Sequence, residues 1–359
     1  MAENRRWIVA LVLAGLLAFV QAPLSEAASS SQAAEASPAY ELLARAAADS
    51  SASCNRYPAR SWLRRKIARP SDFNRYGLRL DEDWQQAPAN KPIVILVHGF
   101  NSSPAQNVAL MVPIREAGYA CGTFAYPNDQ TIPQSAQLLS AELRRFAAKH
   151  PRRRVALVCH SMGSMVARVC VEDSLYDPGN VERLIMIAPP THGTLIAHFA
   201  VGTDLWEHWL ARRKGGPWRR TRDSIIDGLG EAADELCPDS EFLRELNGRP
   251  RNASVRYSIL LGTGARLDDA QLAWIRNCVC KSLAKVPGAD GSAERLDGIL
   301  SDIDELVEGK GDGVVAVKRG RLEGVDDTLI LPFGHLAVTG EPRSDVLRDV
   351  QKAVLERVD

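Results

Sequence analysis

The segment VALVCHSMGSMVAR, residues 155–168, places Ser161 between an apolar run and a helix-compatible run. A serine hydroxyl is a weak nucleophile, and it needs a neighbouring base, usually histidine, which an acid holds in place. A strand-to-helix turn would lift the hydroxyl above the sheet edge and bring the backbone N–H of Met162 to a helix start, where negative charge is favoured. Gly163 suits so tight a turn, whereas Cys159 stands where glycine is usual. The segment favours a nucleophilic serine, with an ordinary helix-capping serine as the alternative.

This segment resembles the nucleophile elbow of the α/β-hydrolase superfamily, and within it that of the lipase-like esterases. The family motif is Gly-x-Ser-x-Gly, and CHSMG at 159–163 has cysteine in place of the first glycine. The segment VHGFN at 97–101 follows the first buried strand, where these lipases carry a His-Gly-x oxyanion loop. The resemblance implies that Phe100 and Met162 donate backbone N–H groups to the oxyanion, while His98 organises the loop. One such donor is worth about 10²–10³ in rate.

The base and the acid are expected later in the chain, because the superfamily order is serine, acid, histidine. His335 lies just past the last predicted strand, where the superfamily's histidine arrives, and none of the other six histidines is placed as well. The segment GDGVV at 311–315 resembles the one that carries the catalytic aspartate in related lipases, and its glycines let the backbone turn Asp312 towards an imidazole. A surface-turn histidine and an ordinary Asp-Gly turn are the alternatives. The rival acids are Asp302, Asp304, Asp326 and Asp327.

A further segment, PTHGT at 190–194, resembles the Pro-x-x-Gly-Thr/Ser segment that follows the next strand in lipases. The resemblance implies that it shapes the acyl pocket, with His192 near the site but not catalytic. With His98, Gly99 and His160 of the two motif loops, His192 completes the predicted substrate-binding set. No cofactor or metal is expected, since Cys278-Val279-Cys280 is too tight for a usual zinc knuckle and no second Cys/His pair has zinc spacing.

Alternating strand and helix patterns supply the elements that would position these residues. Continuous apolar runs such as Ile93–Val97 are typical of strands buried on both faces. The alternation predicts an α/β-hydrolase fold, with a mostly parallel central sheet, helices on both faces and helical cap insertions. The predicted strands are 93–97, 119–126, 155–158, 184–187, 255–261 and 328–331, and the predicted helices are 132–149, 162–171 and 345–357.

Two segments interrupt this alternation, a predicted cap or lid at 192–252 and a second insertion at 264–310. They follow the carboxyl ends of strands, where open α/β sheets bind ligands. The first contains Trp206 and Trp209 and a basic stretch, Arg212–Arg222. These residues predict either a lid that contacts acyl chains and anionic headgroups, or a cap helix that packs its tryptophans on the body. Both favour an acyl ester or lipid substrate, and the first adds transient contact with a membrane or lipid surface.

The amino terminus has the layout of a secretory signal peptide at 1–27. Arg5 and Arg6 precede an apolar run, Trp7–Val20, and Ser25-Glu26-Ala27 offers a cleavage site. The run is shorter than the about 20 residues that cross a bilayer as a helix. We therefore expect export, secreted or periplasmic, with an uncleaved membrane anchor as the alternative. Residues 28–90 are predicted as a flexible tether and N-terminal extension, and 91–359 as the hydrolase domain.

The bulk composition excludes little but sets the background for these predictions. The chain has 359 residues, with 44 Lys+Arg and 44 Asp+Glu, so no overall charge points to a nucleic-acid partner. Its seven cysteines are an odd number, and Cys159 and Cys170 are expected to be buried thiols.

The resemblance covers residues from about 90 to 359. It implies a serine hydrolase that cleaves carboxylic esters of lipid-like or acyl substrates through Ser161, His335 and Asp312 and an acyl-enzyme intermediate. An acyltransferase or thioesterase with the same triad, a non-catalytic hydrolase-fold binding protein and a peptidase are the alternatives.

Overall fold

The computed structural model describes residues 76–100, 102–127, 130–194, 235–265, 267–270, 304–339 and 345–359, with the single positions 232, 273 and 277. Within these residues the chain forms a seven-stranded sheet. The strands are β1 (Gly77–Leu80), β2 (Ile93–Val97), β3 (Cys121–Ala125), β4 (Val155–His160), β5 (Val181–Ile187), β6 (Arg256–Gly262) and β7 (Thr328–Leu331).

The sheet is parallel except at one edge. Its strand order is β1-β3-β2-β4-β5-β6-β7, and only β1 runs antiparallel to its neighbour, β3. The chain passes from β2 to β3 on one side and then crosses to β4 on the other side. The point where the strand order reverses therefore lies between β2 and β4, and open α/β sheets bind ligands outside the carboxyl ends of the strands at such a point. Ser161 and His98 directly follow these two strands.

Helices cover both faces of the sheet. The α-helices in the described part of the chain are α1 (Val108–Glu116), α2 (Ile132–Lys149), α3 (Met162–Glu172), α4 (Glu241–Gly248), α5 (Val317–Gly320) and α6 (Asp345–Val358). Alternate side chains of β2 enter two separate cores, because successive strand residues point to opposite faces. Ile93 and Ile95 pack with residues of α2 and α3, whereas Val94 and Leu96 pack with residues of α1 and α6. The continuous apolar run of β2 is thus buried on both sides.

The observed elements follow the predicted ones closely. The predicted bounds hold for β2, β7 and α2, while β3 is shorter than predicted and β4 and β5 are longer. The fold prediction is confirmed: a mostly parallel sheet lies between two layers of helices. Cys159 and Cys170 are buried free thiols, as predicted.

The sheet begins earlier than residue 91, the predicted start of the hydrolase domain. The strand β1 lies within the segment 28–90 and pairs with β3 through the register Gly77↔Ala125 to Leu80↔Gly122. This four-residue edge strand has a mixed burial pattern, so it lacks the apolar run that marks the central strands. The predictions for 1–27, for the tryptophans and arginines of the cap and for Cys278–Cys280 lie outside the described residues. No helix within the described ranges has the length and apolar character of a membrane span.

Candidate active site

Ser161 occupies the junction between β4 and α3 in a backbone conformation that is unusual for a residue with a side chain. Its φ is +52° and its ψ is −126°. Such conformations cost about 1–3 kcal/mol and cluster at functional sites. Hydrogen bonds hold it there: its N–H donates to the Ile187 carbonyl at 2.9 Å, and its carbonyl accepts from the Ser164 N–H at 2.9 Å. The Ser164 hydroxyl donates to the Cys159 carbonyl at 3.2 Å, which fastens α3 to the end of β4.

Close backbone contact explains the two glycines beside this turn. A Cβ on Gly163 would lie 2.4 Å from the His98 carbonyl oxygen, and one on Gly99 would lie 3.0 Å from the Ser161 Cβ. The loop after β2 and the start of α3 can therefore touch only when both positions lack a side chain. Cys159 is different, since its side chain is fully buried in the core with residues of α2 and α3.

His335 connects Ser161 to Asp312 by two hydrogen bonds. The ring Nε2 lies 2.9 Å from the Ser161 Oγ, and the ring Nδ1 lies 2.7 Å from the Asp312 Oδ2. An ionised carboxylate only accepts, so Nδ1 carries the proton and donates it to Asp312. The Nε2 is then the accepting nitrogen, positioned to take the serine proton. All three residues are at least nine-tenths buried.

The Asp312 carboxylate is held on both oxygens. Its Oδ1 accepts the backbone N–H groups of Val314 at 2.9 Å and Val315 at 2.7 Å, which leaves Oδ2 for His335. The two residues also share a backbone bond, since the His335 N–H donates to the Asp312 carbonyl at 2.9 Å. Gly313 has a φ of +99°, which glycine tolerates better than any other residue. The turn therefore fixes the direction of the carboxylate as well as its place.

His98 organises the loop that follows β2. Its Nδ1 lies 2.9 Å from the Gly99 carbonyl, and its Nε2 accepts the Tyr126 N–H at 3.4 Å. The Tyr126 ring stacks on it at 4.2 Å, and the Tyr126 hydroxyl donates to the His98 carbonyl at 2.6 Å. Burial lowers the pKa of His98 to about 4, so the ring is neutral and its Nδ1–H is the donor to Gly99. With both nitrogens bound by protein, the geometry favours the loop-organising role over substrate contact.

The predicted oxyanion donors lie on two segments that touch. Met162 is the first residue of α3, and the first N–H groups of an α-helix have no acceptor within the helix. Phe100 follows Gly99 in the loop that packs against Ser161, and its partly buried side chain rests on the core.

The remaining predicted site residues, His160 and His192, have different surroundings. The His160 ring lies 4.7 Å from the His335 ring, and burial lowers its pKa well below the ordinary value, with His335 adding to the effect. His192 is exposed, and its contacts are with Arg319, whose carbonyl accepts its N–H at 2.8 Å, and with the Asn247 amide, 3.4 Å from its Nδ1. Partial desolvation of the ring, followed by the charges of Arg168 and Arg319, lowers the pKa of His192. Thus His160 lies against His335, whereas the contacts of His192 are with Arg319 and Asn247.

Two of the four rival acids, Asp304 and Asp327, pair with basic side chains, and Asp302 lies outside the described residues. Asp304 pairs with Lys318 at 2.6 Å, and Asp327 pairs with Arg357 at 2.5 Å before the amino end of β7. Sequence reasoning missed three residues that hold the acid turn or its neighbours: Thr194, Glu305 and Arg319. Only Thr194 had a signal, as the last residue of the PTHGT segment.

Comparisons with solved structures identify the architecture. The mature form of the Bacillus licheniformis lipase BlEst2 matches with a TM-score of 0.52 and 18% identity, over 78% of this chain and 97% of that chain. The propeptide form of the same lipase matches with a TM-score of 0.50 and 19% identity, over 76% of this chain and 53% of that chain. This chain adopts an α/β-hydrolase fold. At this identity the likeness establishes the fold alone.

The sequence match to a family model covers only the first part of this hydrolase fold. Residues 65–212 match the family model described as a domain of unknown function, DUF7379. A comparison with curated proteins gave no match. The matched range contains Ser161 and the His98 loop, but it ends well before Asp312 and His335. The family model thus covers the part of the fold that carries Ser161, and the part that carries Asp312 and His335 lies outside it.

Proposed function

We propose that the protein is a serine esterase that hydrolyses carboxylic esters of acyl or lipid-like substrates through an acyl-enzyme intermediate. The observation that carries the proposal is the continuous hydrogen-bonded chain from the Ser161 hydroxyl through His335 to Asp312. It lies at the carboxyl edge of a parallel sheet, beside the point where the strand order reverses, and that edge is where such sheets bind ligands.

In the first step, the Ser161 Oγ attacks the ester carbonyl carbon while the His335 Nε2 takes its proton. The carbonyl oxygen becomes an oxyanion, which accepts hydrogen bonds from the N–H groups of Phe100 and Met162. Asp312 accepts from Nδ1–H and stabilises the imidazolium that forms. The intermediate then collapses, the bond to the alkoxide breaks, and Nε2 returns its proton to the leaving alcohol.

In the second step, water replaces the alcohol. The His335 Nε2 removes a proton from the water as its oxygen attacks the acyl carbon, and the same two N–H groups hold the second oxyanion. Collapse breaks the bond to the Ser161 Oγ, which regains its proton from His335, and a carboxylic acid leaves. The strained backbone at Ser161 serves both steps, because it points the hydroxyl out of the sheet edge between the loop after β2 and the start of α3.

The substrate class and the location form part of the same proposal. We expect acyl esters because the predicted cap carries tryptophans, and because the structural relative is itself named as a lipase. Export is proposed from the charged, apolar and cleavage regions of residues 1–27. Transient contact with a lipid surface follows if the basic stretch Arg212–Arg222 meets anionic headgroups. The proposed chemistry uses side chains and backbone donors of the chain and assigns no role to a cofactor.

The test is Ser161→Ala, assayed on p-nitrophenyl esters of increasing chain length and by labelling with a fluorophosphonate. We expect kcat to fall by at least about 10⁴-fold, because the nucleophile is lost, and we expect labelling to disappear. Ser140→Ala is the matched control. Ser140 lies on α2, its buried hydroxyl donates to the Tyr176 carbonyl in the turn after α3, and its loss should leave turnover intact. Undiminished turnover by Ser161→Ala would reject the assignment.

Product analysis separates hydrolysis from acyl transfer. With an added alcohol acceptor, a hydrolase releases free acid as its main product, whereas an acyltransferase forms a new ester. A thioester substrate that is turned over faster than its oxygen analogue would indicate a thioesterase. A wild-type protein that takes no fluorophosphonate and cleaves no ester would support a non-catalytic binding protein.

A further inference from the structure

The turn that carries Asp312 packs against a buried carboxylate outside the proposed triad. Glu305 is fully buried, and its backbone carbonyl accepts the Gly313 N–H at 2.6 Å. A Cβ on Gly311 would lie 2.8 Å from the Glu305 Cα, so the two backbones are in direct contact on both sides of Asp312. The Glu305 side chain lies 3.0 Å from the Arg319 Nε. A buried carboxylate needs such a partner, because an isolated charge is costly to bury.

Arg319 connects this carboxylate to the loop that leads into the predicted cap. Its carbonyl accepts the His192 N–H at 2.8 Å, and its Nη1 lies 3.5 Å from the His192 carbonyl. Its side chain is largely buried. The ion pair thus joins the turn at 304–306 to α5, and the contacts of Arg319 with His192 join α5 to the loop at 190–194.

Thr194 makes a second connection between the same two regions. Its N–H donates to the carbonyl of Leu236, which also lies in the predicted cap segment 192–252, at 3.0 Å, and its hydroxyl donates to the Val314 carbonyl. The Val314 N–H in turn donates to the Asp312 Oδ1 at 2.9 Å. Two hydrogen bonds therefore link Thr194 to the Asp312 carboxylate through Val314, and a third links Thr194 to Leu236.

We propose that the Glu305–Arg319 ion pair is a positioning device for Asp312. It holds the Asp312 turn against the loop at 190–194, so that the carboxylate stays within hydrogen-bond reach of His335. The inference rests on the proposed function, since it assigns Glu305 and Arg319 a role in that reaction. Displacement of a catalytic group by about 1 Å can cost about 10²-fold in rate, which sets the scale of the expected effect.

A second buried ion pair provides a matched comparison. Arg168 and Glu172 are fully buried on α3 and lie 2.9 Å apart. Arg168 also binds the Asn247 side chain at 2.8 Å and the Leu246 carbonyl at 3.1 Å, so this pair joins α3 to α4. Its chemistry and burial resemble those of the Glu305–Arg319 pair, but its contacts are with α4 and Arg251 and not with the Asp312 turn.

The experiment compares Glu305→Gln with Glu172→Gln in the full chain, using a p-nitrophenyl ester. For Glu305→Gln we expect kcat to fall about 10–10²-fold, with KM changed less than about twofold. The acid limb of the kcat/KM–pH profile should move to lower pH, because a displaced carboxylate stabilises the imidazolium form of His335 less. Glu172→Gln should lower the Tm by a similar amount while kcat and the acid limb stay as in the wild type.

Arg319→Gln and the double variant Glu305→Gln/Arg319→Gln test the pair as a unit. If the pair acts on Asp312, either single change should displace the turn, and the double variant should lose no more than about the larger single effect. Arg319→Lys keeps the charge and should recover part of kcat. If Glu305→Gln does not fold, Arg319→Lys and Arg319→Gln carry the test on the same kcat and pH readouts.

The proposal is overturned if the variants at 305 and 319 lower only the Tm, with kcat and the acid limb unchanged. It is also overturned if Glu172→Gln reduces kcat and moves the limb as much as Glu305→Gln does. These results differ from a failure of the proposed function, in which the wild-type protein itself cleaves no ester and takes no fluorophosphonate label.

Discussion

Ser161 and Asp312 lie on either side of His335, and contacts of different range hold the backbone around each of them. Ser161 is fixed by its own neighbours on β4 and α3, with one bond to the adjacent strand at Ile187. The Asp312 turn is fixed by its own backbone and by more distant segments, through Glu305 and Thr194. The serine side is thus a compact local structure, whereas the acid side depends on how distant loops meet. Variants on each side should expose this difference.

The largest effect is expected from Asp312→Asn on the acid side. The Oδ1 position can still accept from Val314 and Val315, so the amide nitrogen would face His335 and donate to Nδ1. The proton would then move to Nε2, which could no longer accept from Ser161. We expect a loss of about 10⁴-fold in kcat, with the protein still folded. Steady-state kinetics and circular dichroism check this.

The exposed Asp349 on α6 gives the control for that measurement, because Asp349→Asn removes a carboxylate of the same type from the protein surface. It should leave kcat unchanged. A loss below about tenfold for Asp312→Asn would mean that another group orients His335.

The next effect concerns stability on the serine side and depends on pH. Burial holds the pKa of His98 at about 4 in the folded protein, against about 6.5 in the unfolded chain. Between these pH values the unfolded chain binds more protons than the folded protein. The contribution of His98 to the free energy of unfolding is therefore fully present above about pH 6.5 and is lost as the pH falls towards 4. The loss attributable to His98 is on the order of 3 kcal/mol.

Urea unfolding at pH 7.5 and 4.5 measures this loss, and His98→Asn should reduce it while the amide still donates to Gly99. His160 is also held neutral by burial, so the variant keeps part of the slope. An unchanged slope would show that His98 does not titrate across this window.

A smaller effect is expected from Gly163→Ala, which adds one methyl group where the loop after β2 meets α3. Because the new Cβ would lie 2.4 Å from the His98 carbonyl, the backbone must shift, at a cost of about 1–3 kcal/mol. The shift would separate Met162 from Phe100, and kcat should fall more than KM rises. Gly248→Ala is the control, because a Cβ there meets nothing within 4 Å and stability should hold or rise slightly. Equal behaviour of the two variants would contradict the proposed close approach.

The smallest effect is expected at Cys159. Burial raises the pKa of this thiol well above its ordinary value and keeps it out of solvent, so iodoacetamide should leave the activity of the folded protein unchanged. Cys159→Gly introduces the first glycine of the motif that CHSMG resembles and should lower stability by about 1–2 kcal/mol, through lost burial and added chain entropy, with kcat changed less than about threefold. Rapid inactivation by the reagent at native pH would overturn this expectation for the buried thiols.

The same local-versus-distant contrast explains what the sequence could reveal. The strand β2 and the helix α2 were predicted with their observed bounds, because each carries its periodicity within one uninterrupted segment. Ser161 could be identified for the same reason, since the strand, the turn and the helix that define its position are consecutive in the sequence. The strand β1 was missed because a four-residue edge strand has too few positions to show a pattern.

The acid side was predictable only in part. Asp312 and His335 were found through a family resemblance and their order in the chain, and the structure brings both within hydrogen-bond distance of one another and of Ser161. The Glu305–Arg319 ion pair could not be predicted from the sequence, because it depends on the path of the chain between β6 and β7. The contact of Thr194 with Val314 likewise links segments that only the tertiary structure brings together.

The direction of β1 has a practical consequence for handling the protein. Because β1 runs antiparallel to β3 and Gly77 pairs with Ala125, β1 begins at the carboxyl ends of the parallel strands. Ser161 lies at the same ends. Asp359 binds Arg183 and Tyr119 at the opposite edge, near the starts of β5 and β3. A support or affinity tag joined behind Asp359 would therefore face away from the serine, whereas a bulky partner fused directly ahead of Gly77 would lie at the same ends of the strands as Ser161.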